Sequence, residues 1–483
     1  MKENILTLLI KIYRCVLVAS LMIIVTNSIS ASPTPQLALS GLLVDGHDPA
    51  WRDSVIQAAL DDPRVQGATI GLYIEDIRTG EVLADINGDV PMIPASVTKS
   101  VTTATLLSLH DPQERFATEI VAVGTLHGNT LDGDIEIRTP GDPTIESSHF
   151  PEYAGFADSI ATSLRNIGIS TVTGRIVVTE TQSHTEEIPL GWLDTDVVQP
   201  YGAPHQSANY SDNVVNVRVP SKATEPTTPA IKFIAGSKAG KIRADRNRGT
   251  SVVKLSGRVP KRGATLKISN PAPHSSMETA VIESLKKQGI AVNNTIIKRN
   301  GKEEETTVYL HLSPTLIDIS RSLMHRSDNL MAEGMLRYLS PDGSRSEALD
   351  KEIAYWQSRT VDIEGIVIED GSGLSRRNRI TPYFLADINY MMAQNRDLSP
   401  YYISLFPKAG LEGTMKNAFK GTGLEGRLAM KTGTVNGVRT LSGYLLDGDG
   451  SPSHVVVIMV NDFKCTRVAL KNWIEDMVLK ILP

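Results

Sequence analysis

The chain has 483 residues, of which 41% are hydrophobic and 21% charged, and this composition describes a soluble globular protein. Its length exceeds what one ordinary core holds, so we expect two or three domains, or one domain that carries a large insertion. An aromatic share of 5% and a formal net charge of −5 argue against a nucleic-acid-binding protein, which needs basic patches and stacking platforms.

The N-terminal segment has the pattern of a secretory signal peptide. Basic residues up to Arg14 precede an uncharged run that is apolar from Val16 to Val25, and small residues ending at Ala31 follow. We predict a signal peptide at residues 1–31 and an exported, acidic mature protein in the periplasm or cell envelope. The apolar run is shorter than the roughly 20 residues of a transmembrane helix, so a retained signal anchor is the alternative and the mature chain has no predicted membrane span.

A hairpin and a helix are the first elements predicted after this segment. An alternating run from Ala68, a glycine turn at Gly80 and a second alternating run predict two antiparallel strands. The apolar stretch Val97–Leu109 follows Ser96, and its lack of internal glycine or proline favours a helix despite several threonines.

Ser96 and Lys99 stand three residues apart at the start of this helix, so their side chains lie on one face near the positive end of the helix dipole. A serine hydroxyl becomes a strong nucleophile when a base removes its proton. A lysine can act as that base if burial or a neighbouring cation lowers its pKa. The alternative is a helix N-cap followed by a surface lysine, because Ser-x-x-Lys occurs by chance in most chains of this size.

The long middle part of the chain differs in composition from the two ends, because it has short β-like runs divided by Gly, Pro, Asn and Lys. We interpret it as inserted β-rich material, and a stretch rich in Lys, Gly and Thr within it as a smaller nested module. The runs are Ile135–Arg138, Gly174–Thr179, Val214–Val219, Val252–Leu255 and Val308–Leu312.

The triplet Ser327-Asp328-Asn329 follows a predicted helix, Thr315–Met324, and precedes an amphipathic helix. In such a triplet the serine can pass a proton to a leaving group and the asparagine can bind a substrate amide. Ser211-Asp212-Asn213 carries the same letters, but it lies inside the insertion before an alternating strand. We therefore take Ser327 and Asn329 as the catalytic copy.

The triplet Lys431-Thr432-Gly433 stands just before the predicted strand Val438–Leu446. A cation and a hydroxyl at a strand edge can hold a substrate carboxylate, and the glycine lets the substrate backbone approach closely. The alternative interpretation is a β-turn with a solvated lysine.

The C-terminal part completes the predicted sheet. Val438–Leu446 and His454–Asn461 form a second hairpin pattern, and Thr466–Ile481 has a helical pattern. Both chain ends are therefore expected in one antiparallel sheet with helices on its faces. Because Cys15 lies in the signal peptide, Cys465 has no intrachain disulfide partner and is interpreted as a structural thiol.

Ser-x-x-Lys, Ser-Asp-Asn and Lys-Thr-Gly together form the motif set of penicillin-binding proteins and β-lactamases. In motif order and spacing the chain resembles the D-alanyl-D-alanine carboxypeptidase/endopeptidase family of low-molecular-mass class C penicillin-binding proteins, peptidase family S13, which has a large insertion between the first two motifs. Further segments similar to this family are P-A-S-V-T-K from Pro94, G-D-P-T-I from Gly141, G-W-L-D-T-D-V-V-Q-P-Y-G-A-P from Gly191, D-G-S-G-L-S-R-R-N-R-I-T-P from Asp370 and K-T-G-T-V-N-G-V-R-T-L-S-G-Y from Lys431.

The resemblance implies an α+β fold (an α/β sandwich): a penicillin-binding/β-lactamase-like transpeptidase domain with an antiparallel sheet flanked by helices. We predict this catalytic domain at residues 32–115 and 311–483. The β-rich inserted domain is predicted at residues 116–220 and 271–310, and the nested module at residues 221–270.

The resemblance also implies a serine peptidase that cleaves the terminal D-alanyl-D-alanine bond of peptidoglycan stem peptides, and cross-links to a diamino acid, through an acyl-enzyme on Ser96. β-Lactam antibiotics would then be covalent inhibitors. No metal or cofactor is predicted, and the histidines show no H-E-x-x-H spacing. The oligomeric state stays open.

The residue roles follow from the same resemblance. Lys99 would be the base, and the backbone N–H groups of Ser96 and Thr434 the oxyanion donors. The predicted catalytic residues are Ser96, Lys99, Ser327, Asn329 and Lys431. Thr432, Gly433, Thr434, Val435 and Asp196 are predicted to bind substrate, with Asp196 at the amino end of the stem diamino acid and Asp194 as the competing choice.

Two alternatives remain at this point. A serine β-lactamase shares the acylation chemistry, but no E-x-x-x-N lies between Ser327 and Lys431, which removes the class A deacylation device. A non-catalytic cell-wall-binding protein of the same fold is the other, and it would be favoured by the loss of a motif residue, of which none is lost.

Overall fold

The computed structural model describes residues 49–180, 188–296 and 304–482, and the predicted signal peptide lies outside them. Within these ranges no helix combines the length and the apolar character needed to cross a bilayer.

The helices are α1 (Pro49–Leu60), α2 (Thr98–Leu109), α3 (Phe156–Asn166), α4 (Asp194–Val197), α5 (Pro273–Lys287), α6 (Leu316–Arg326), α7 (Asn329–Arg337), α8 (Arg345–Ser358), α9 (Pro382–Gln394), α10 (Ser399–Ile403) and α11 (Arg467–Ile481). Short 3₁₀ helices lie at Pro63–Val65, Ala95–Val97, Pro151–Tyr153, Pro200–Gly202, Ser211–Asn213 and Gly413–Met415.

The strands are β1 (Thr69–Asp76), β2 (Val82–Ile86), β3 (Ala117–His127), β4 (Thr130–Thr139), β5 (Thr171–Val172), β6 (Ile176–Glu180), β7 (Val214–Val219), β8 (Thr224–Glu225), β9 (Lys232–Ala235), β10 (Arg243–Arg246), β11 (Val252–Ser256), β12 (Ala264–Ser269), β13 (Ala291–Val292), β14 (Glu305–Leu312), β15 (Leu428–Val435), β16 (Val438–Leu446) and β17 (Pro452–Asn461).

The central sheet combines the N-terminal and C-terminal strands in the order β15-β16-β17-β1-β2, and every neighbouring pair is antiparallel. Strand β1 runs beside β17 from the pair Thr69–Asn461 to the pair Asp76–His454. The prediction of one antiparallel sheet built from both chain ends is therefore confirmed.

Helices cover both faces of this sheet, and strand β17 shows why its sequence is apolar throughout. Its side chains alternate between the faces. Val457 and its alternate neighbours pack in one core with Phe384 of α9, whereas Ile458 and its neighbours pack in a second core with Trp473 of α11. A strand buried on both faces reads as a continuous hydrophobic run.

The inserted region forms three further sheets. A six-stranded sheet, β13-β5-β4-β3-β14 with β6 beside β4, packs its apolar side chains with helices α3 and α5. Two three-stranded sheets follow, β12-β7-β8 and β10-β11-β9. Strands β12 and β8 both pair with β7, so two strands from within the predicted nested module join a strand outside it. The division of the chain into domains stays a prediction.

Helix α2 is buried although it is rich in threonine. The hydroxyls of Thr103 and Thr105 donate to the carbonyls of Lys99 and Val101, so burial leaves these polar groups satisfied. Tyr402 donates its hydroxyl to the Ser100 carbonyl at 3.0 Å. Tyr402 on α10 thereby holds the N-terminal end of α2, which supports the site described next.

Candidate active site

Ser96 lies in the 3₁₀ helix Ala95–Val97, and Lys99 lies one turn later in α2. The Lys99 Nζ atom donates to Ser96 Oγ at 3.1 Å, within the distance at which a base can take a hydroxyl proton. The predicted pairing of these side chains on one helix face is therefore present. The predicted α-helix start at Val97 is shifted to Thr98, because the turn that contains Ser96 is 3₁₀.

The residue before Ser96 has an unusual backbone. Ala95 is buried with a φ of 49°, a left-handed conformation that a residue with a Cβ atom rarely adopts. Gly373, also left-handed at φ 76°, packs against it, and an added Cβ at Gly373 would lie 1.9 Å from the Ala95 carbonyl oxygen. Such strain is typical of functional sites, where the surroundings over-determine the backbone.

Lys99 is completely buried and makes two further hydrogen bonds. Its Nζ atom donates to Asn329 Oδ1 at 2.7 Å and to the Ser372 carbonyl at 2.5 Å. These acceptors fix the nitrogen beside the Ser96 hydroxyl.

Burial lowers the pKa of Lys99 to about 8, because the charged form loses hydration. The negative charges of Asp370, Asp328 and Glu333 oppose this change. The neutral amine is therefore accessible near physiological pH.

Ser327 and Asn329 reach the site from the junction of two helices. Ser327 ends α6 in the left-handed conformation, at φ 61°, and Asn329 is the first residue of α7. Asp328 between them caps α7, since its carboxylate accepts the Met331 N–H at 2.8 Å. The middle residue of the triplet thus has a structural role, while its neighbours turn toward Lys99 and Lys431.

The second copy of the triplet, Ser211–Asn213, is held elsewhere. Asn213 is buried and donates to the Pro204 carbonyl and to Asn209, and Asp212 accepts from Ser147 at 2.5 Å. These contacts brace a turn of the insertion. The structure brings Ser327 and Asn329 to Ser96, as we predicted.

Strand β15 carries Lys431, Thr432 and Gly433 along the nucleophile segment. Gly433 is required for this close approach, because an added Cβ would lie 2.9 Å from the Ser96 nitrogen and 2.8 Å from the Pro94 carbonyl oxygen. The hydroxyl of Thr440 on β16 donates to the same Pro94 carbonyl at 2.6 Å. The sheet edge and the nucleophile are thereby fixed to each other.

Lys431 is as deeply buried as Lys99, and its Nζ atom donates to Ser327 Oγ at 2.9 Å. Burial holds its pKa well below the usual value, and the positive charges of Lys99 and Arg439 lower it further. A neighbouring cation such as Lys431 could lower the pKa of Lys99 in principle. In the structure burial is the cause of that lowering, and the charge of Lys99 acts on Lys431.

A cleft of about 580 Å³ joins these groups. Of the predicted residues it is lined by Ser96, Ser327, Asn329, Thr434, Val435 and Asp196.

Asp196 accepts the Tyr201 hydroxyl at 2.7 Å inside this cleft. Asp194, the competing choice, points away and pairs with Arg248 at 3.3 Å.

The cleft also has lining residues that sequence analysis missed. Leu193 and Leu374 add apolar surface, and Arg376 and Arg467 add positive charge. Arg439, the cross-strand partner of Thr434, donates to the Thr434 hydroxyl at 2.7 Å. Arg439 belongs to the segment after Lys431 that resembles the family, and this was the available signal.

The sequence profile of the D-Ala-D-Ala carboxypeptidase 3 (S13) family matches residues 53–480. The chain belongs to this family. The predicted family and enzyme class, a serine-type D-Ala-D-Ala peptidase, are confirmed by this membership.

Two relatives illustrate how far the family likeness extends. D-alanyl-D-alanine carboxypeptidase DacB of Haemophilus influenzae is 23% identical, over 80% of this chain and 84% of its own. A D-alanyl-D-alanine carboxypeptidase of an Actinomadura species is 26% identical, over 83% of this chain and 80% of its own.

The crystal structure of penicillin binding protein 4 from Haemophilus influenzae has the same fold, with a TM-score of 0.72 at 21% identity. The match covers 88% of this chain and 98% of that one. A second crystal structure of that protein, with a bound β-lactam, matches with a TM-score of 0.69 at 21% identity, and it covers the same 88% and 98% of the two chains. The predicted α+β fold class is thereby confirmed.

Proposed function

We propose that this D-Ala-D-Ala peptidase acts through an acyl-enzyme on Ser96 and removes the terminal D-alanine from peptidoglycan stem peptides. The observation that carries the proposal is the 3.1 Å contact between Ser96 Oγ and a fully buried Lys99. Ser327, bonded to the buried Lys431, opens onto the same cleft and supplies a second proton path.

Acylation begins when neutral Lys99 takes the Ser96 proton and Ser96 Oγ attacks the carbonyl carbon before the last D-alanine. The backbone N–H groups of Ser96 and Thr434 stabilise the oxyanion. As the peptide bond breaks, the proton taken up by Lys99 passes through the Ser327 hydroxyl, which Lys431 holds, to the leaving amine, so Lys99 is neutral again. Water then attacks the Ser96 ester, releases the shortened peptide and restores the serine hydroxyl.

The carboxylate of the departing D-alanine binds at the edge of β15. The Thr434 hydroxyl lines the cleft there and Thr432 lies two residues earlier on the same face of the strand, while Arg439 and Arg467 supply positive charge nearby. Because Arg439 already donates to the Thr434 hydroxyl oxygen, that oxygen acts as an acceptor and its own proton is free for the substrate carboxylate. A β-lactam carries an equivalent carboxylate, so the same groups receive penicillin as a covalent inhibitor.

The stem peptide's diamino acid extends toward Asp196 and Tyr201. The Asp196 carboxylate pairs with the free amino end, and Val435 and Leu193 contact the aliphatic part of that side chain. The predicted signal peptide supports export, so the substrate is met in the periplasm or cell envelope.

Asp196→Asn is expected to raise KM for stem peptides with a free diamino-acid amine about three- to fivefold, with little change in kcat, because one partly exposed ion pair is lost. The rate of acylation by a penicillin without that amine should stay unchanged. Asp194→Asn is the matched control, since Asp194 pairs with Arg248 instead. Steady-state kinetics with amine-bearing and amine-acetylated peptides provides the measurement. Equal KM values for the wild type and Asp196→Asn would contradict the role of Asp196.

The rate of penicillin acylation is expected to rise with pH and level off above about 8. Lys99 acts in its neutral form, and burial lowers its pKa to about 8, so the active fraction grows about tenfold per pH unit below that value. Stopped-flow acylation rates between about pH 6 and 9.5 would reveal this ascending limb. A profile that is flat over that range would contradict the assignment of Lys99 as the base.

The proposed function is tested by incubating the protein with labelled penicillin and with a peptide that ends in D-Ala-D-Ala. We expect a long-lived adduct of one penicillin per chain and release of D-alanine from the peptide. Rapid penicillin turnover would indicate a β-lactamase, and the absence of an adduct a non-catalytic wall-binding protein. HPLC of digested peptidoglycan then separates removal of D-alanine from conversion of cross-linked dimers to monomers.

A further inference from the structure

The segment Asp370–Leu374 lies against the catalytic lysine, although it belongs to none of the three motifs. Its Ser372 carbonyl accepts a hydrogen bond from Lys99 Nζ at 2.5 Å, and Ser372 itself is fully buried. A carbonyl in this position determines where the amine stands relative to Ser96. Residues that hold the Ser372 peptide unit in place therefore also determine the position of the Lys99 amine.

Asp370 anchors this segment from one side. Its carboxylate accepts the Gly373 N–H at 2.9 Å and the Ser375 N–H at 2.7 Å. It also accepts the indole N–H of Trp192 at 2.6 Å, which ties in the part of the insertion that carries Asp196. Asp370 is thus occupied in shaping the loop.

Glu333 holds the segment from the other side. Its Oε1 atom accepts the Ser372 N–H at 2.9 Å, so the backbone of Ser372 is held by Glu333 at the nitrogen and by Lys99 at the oxygen. Glu333 follows Asn329 by one turn of α7, and residues four apart share a helix face. One face of α7 therefore positions Lys99 in two ways. Asn329 contacts Lys99 directly, and Glu333 acts through the backbone of Ser372.

Glu333 is buried and only partly satisfied by hydrogen bonds. It is 2% exposed, and among the described residues its Oε2 atom accepts no hydrogen bond. Burying a carboxylate with one oxygen unsatisfied costs free energy that an apolar side chain of this size would not cost. Glu352 on α8 is likewise buried with unsatisfied carboxylate oxygens, so what distinguishes Glu333 is its contact with the Ser372 N–H, which joins it to Lys99.

We propose that Glu333 is a positioning residue for Lys99, a role that rests on the function proposed above. Its carboxylate holds the Ser372 peptide unit, and with it the Ser372 carbonyl, against the Lys99 amine.

The charged groups around the two residues are consistent with this role. Asp370, Asp328 and Glu333 raise the pKa of Lys99 against the effect of burial. Burial and the charge of Asp370 raise the pKa of Glu333 to about 7, while the nearby Arg345 and Arg337 oppose them. Glu333 is therefore ionised in the range above pH 7 where Lys99 titrates.

Two substitutions separate the effect of the Glu333 charge from the effect of its side-chain length. Glu333→Gln keeps an acceptor for the Ser372 N–H and removes the charge, so the pKa of Lys99 falls and the ascending limb of the acylation profile moves to lower pH, by less than about one pH unit because Asp370 and Asp328 act more strongly on Lys99. Glu333→Asp keeps the charge but is one methylene too short for the 2.9 Å contact. Glu333→Asp should leave the pH of the ascending limb unchanged. It should lower the plateau rate of acylation about tenfold, because a positioning group is displaced.

Glu352→Gln is the matched control. Glu352 is buried on the neighbouring helix α8, where the charge of Glu333 raises its pKa, but its own charge is not among those that act on Lys99. In Glu352→Gln the ascending limb of the acylation rate against pH should not move to lower pH. Thermal unfolding shows which of the variants are folded.

An unmoved limb in folded Glu333→Gln, or a wild-type plateau in Glu333→Asp, overturns the inference. Should Glu333→Gln fail to fold, the plateau of Glu333→Asp decides. Failure of the proposed function is recognised separately, because the wild type would then form no penicillin adduct at all.

Discussion

Replacing Ser96 with alanine is expected to abolish the penicillin adduct and to reduce D-alanine release by about 10⁶-fold, as loss of a serine nucleophile does in other serine hydrolases. The substitution removes one oxygen at the edge of the cleft and leaves the packing of α2 unchanged. Intact-protein mass spectrometry after incubation with penicillin measures the adduct, and a D-alanine assay measures the peptidase activity.

Ser100→Ala is the matched control for this experiment. Ser100 lies one turn further along α2, is buried, and donates to the Val97 carbonyl at 2.6 Å. Its loss should cost about 1 kcal/mol of folding free energy and leave acylation intact. A penicillin adduct on Ser96→Ala would refute the proposed nucleophile.

Replacing Lys99 with methionine is expected to slow acylation by about 10²- to 10⁴-fold, the contribution typical of a general base. Methionine fills a similar volume but offers no amine to Ser96, and it leaves Asn329 and the Ser372 carbonyl without their donor. The protein should lose about 1–3 kcal/mol of stability for these unsatisfied acceptors. Pre-steady-state acylation kinetics and thermal unfolding separate the two effects.

Lys351→Met serves as the control for removing a lysine. Lys351 lies on α8, is half-exposed and donates to the Leu339 carbonyl at 3.1 Å. Its acylation rate should equal that of the wild type. If Lys99→Met retained a rate within tenfold of the wild type, another group would have to be the base.

The sheet and the catalytic triplets were predictable from sequence because their signals are local. Alternating strands at both chain ends, the helix after Ser96 and the glycine of Lys431-Thr432-Gly433 each follow from short-range patterns. Context also favoured the copy of the serine-aspartate-asparagine triplet that the structure places beside Lys99, since Ser327 and Asn329 lie at the junction of two helices.

The supports of Lys99 could not be predicted in the same way. The Ser372 group that binds Lys99 is a backbone carbonyl, and every residue has one. Glu333 reads in sequence as one of several acidic residues on an amphipathic helix. Its importance depends on a contact with a segment 39 positions away in the chain. Such partners become visible only when the fold brings them together.

The residues proposed to recognise the stem peptide were only partly predictable from the sequence. The family resemblance pointed to Asp196 with Asp194 as a competitor, and spacing alone could not decide between them. The side chains diverge along the short helix α4, where Asp196 lines the cleft and Asp194 meets Arg248. Tyr201 carried no signal, because its relation to Asp196 depends on a turn of the insertion.

The central claim is that Ser96 carries the acyl group, and peptide mapping of the penicillin adduct tests it most directly. Trypsin cleaves after Arg78 and after Lys99, and the fragment Thr79–Lys99 contains Ser96 as its single serine. We predict that tandem mass spectrometry finds the added mass of one penicillin on Ser96 in this fragment. An adduct on any other fragment, or none on the wild-type protein, would contradict the account.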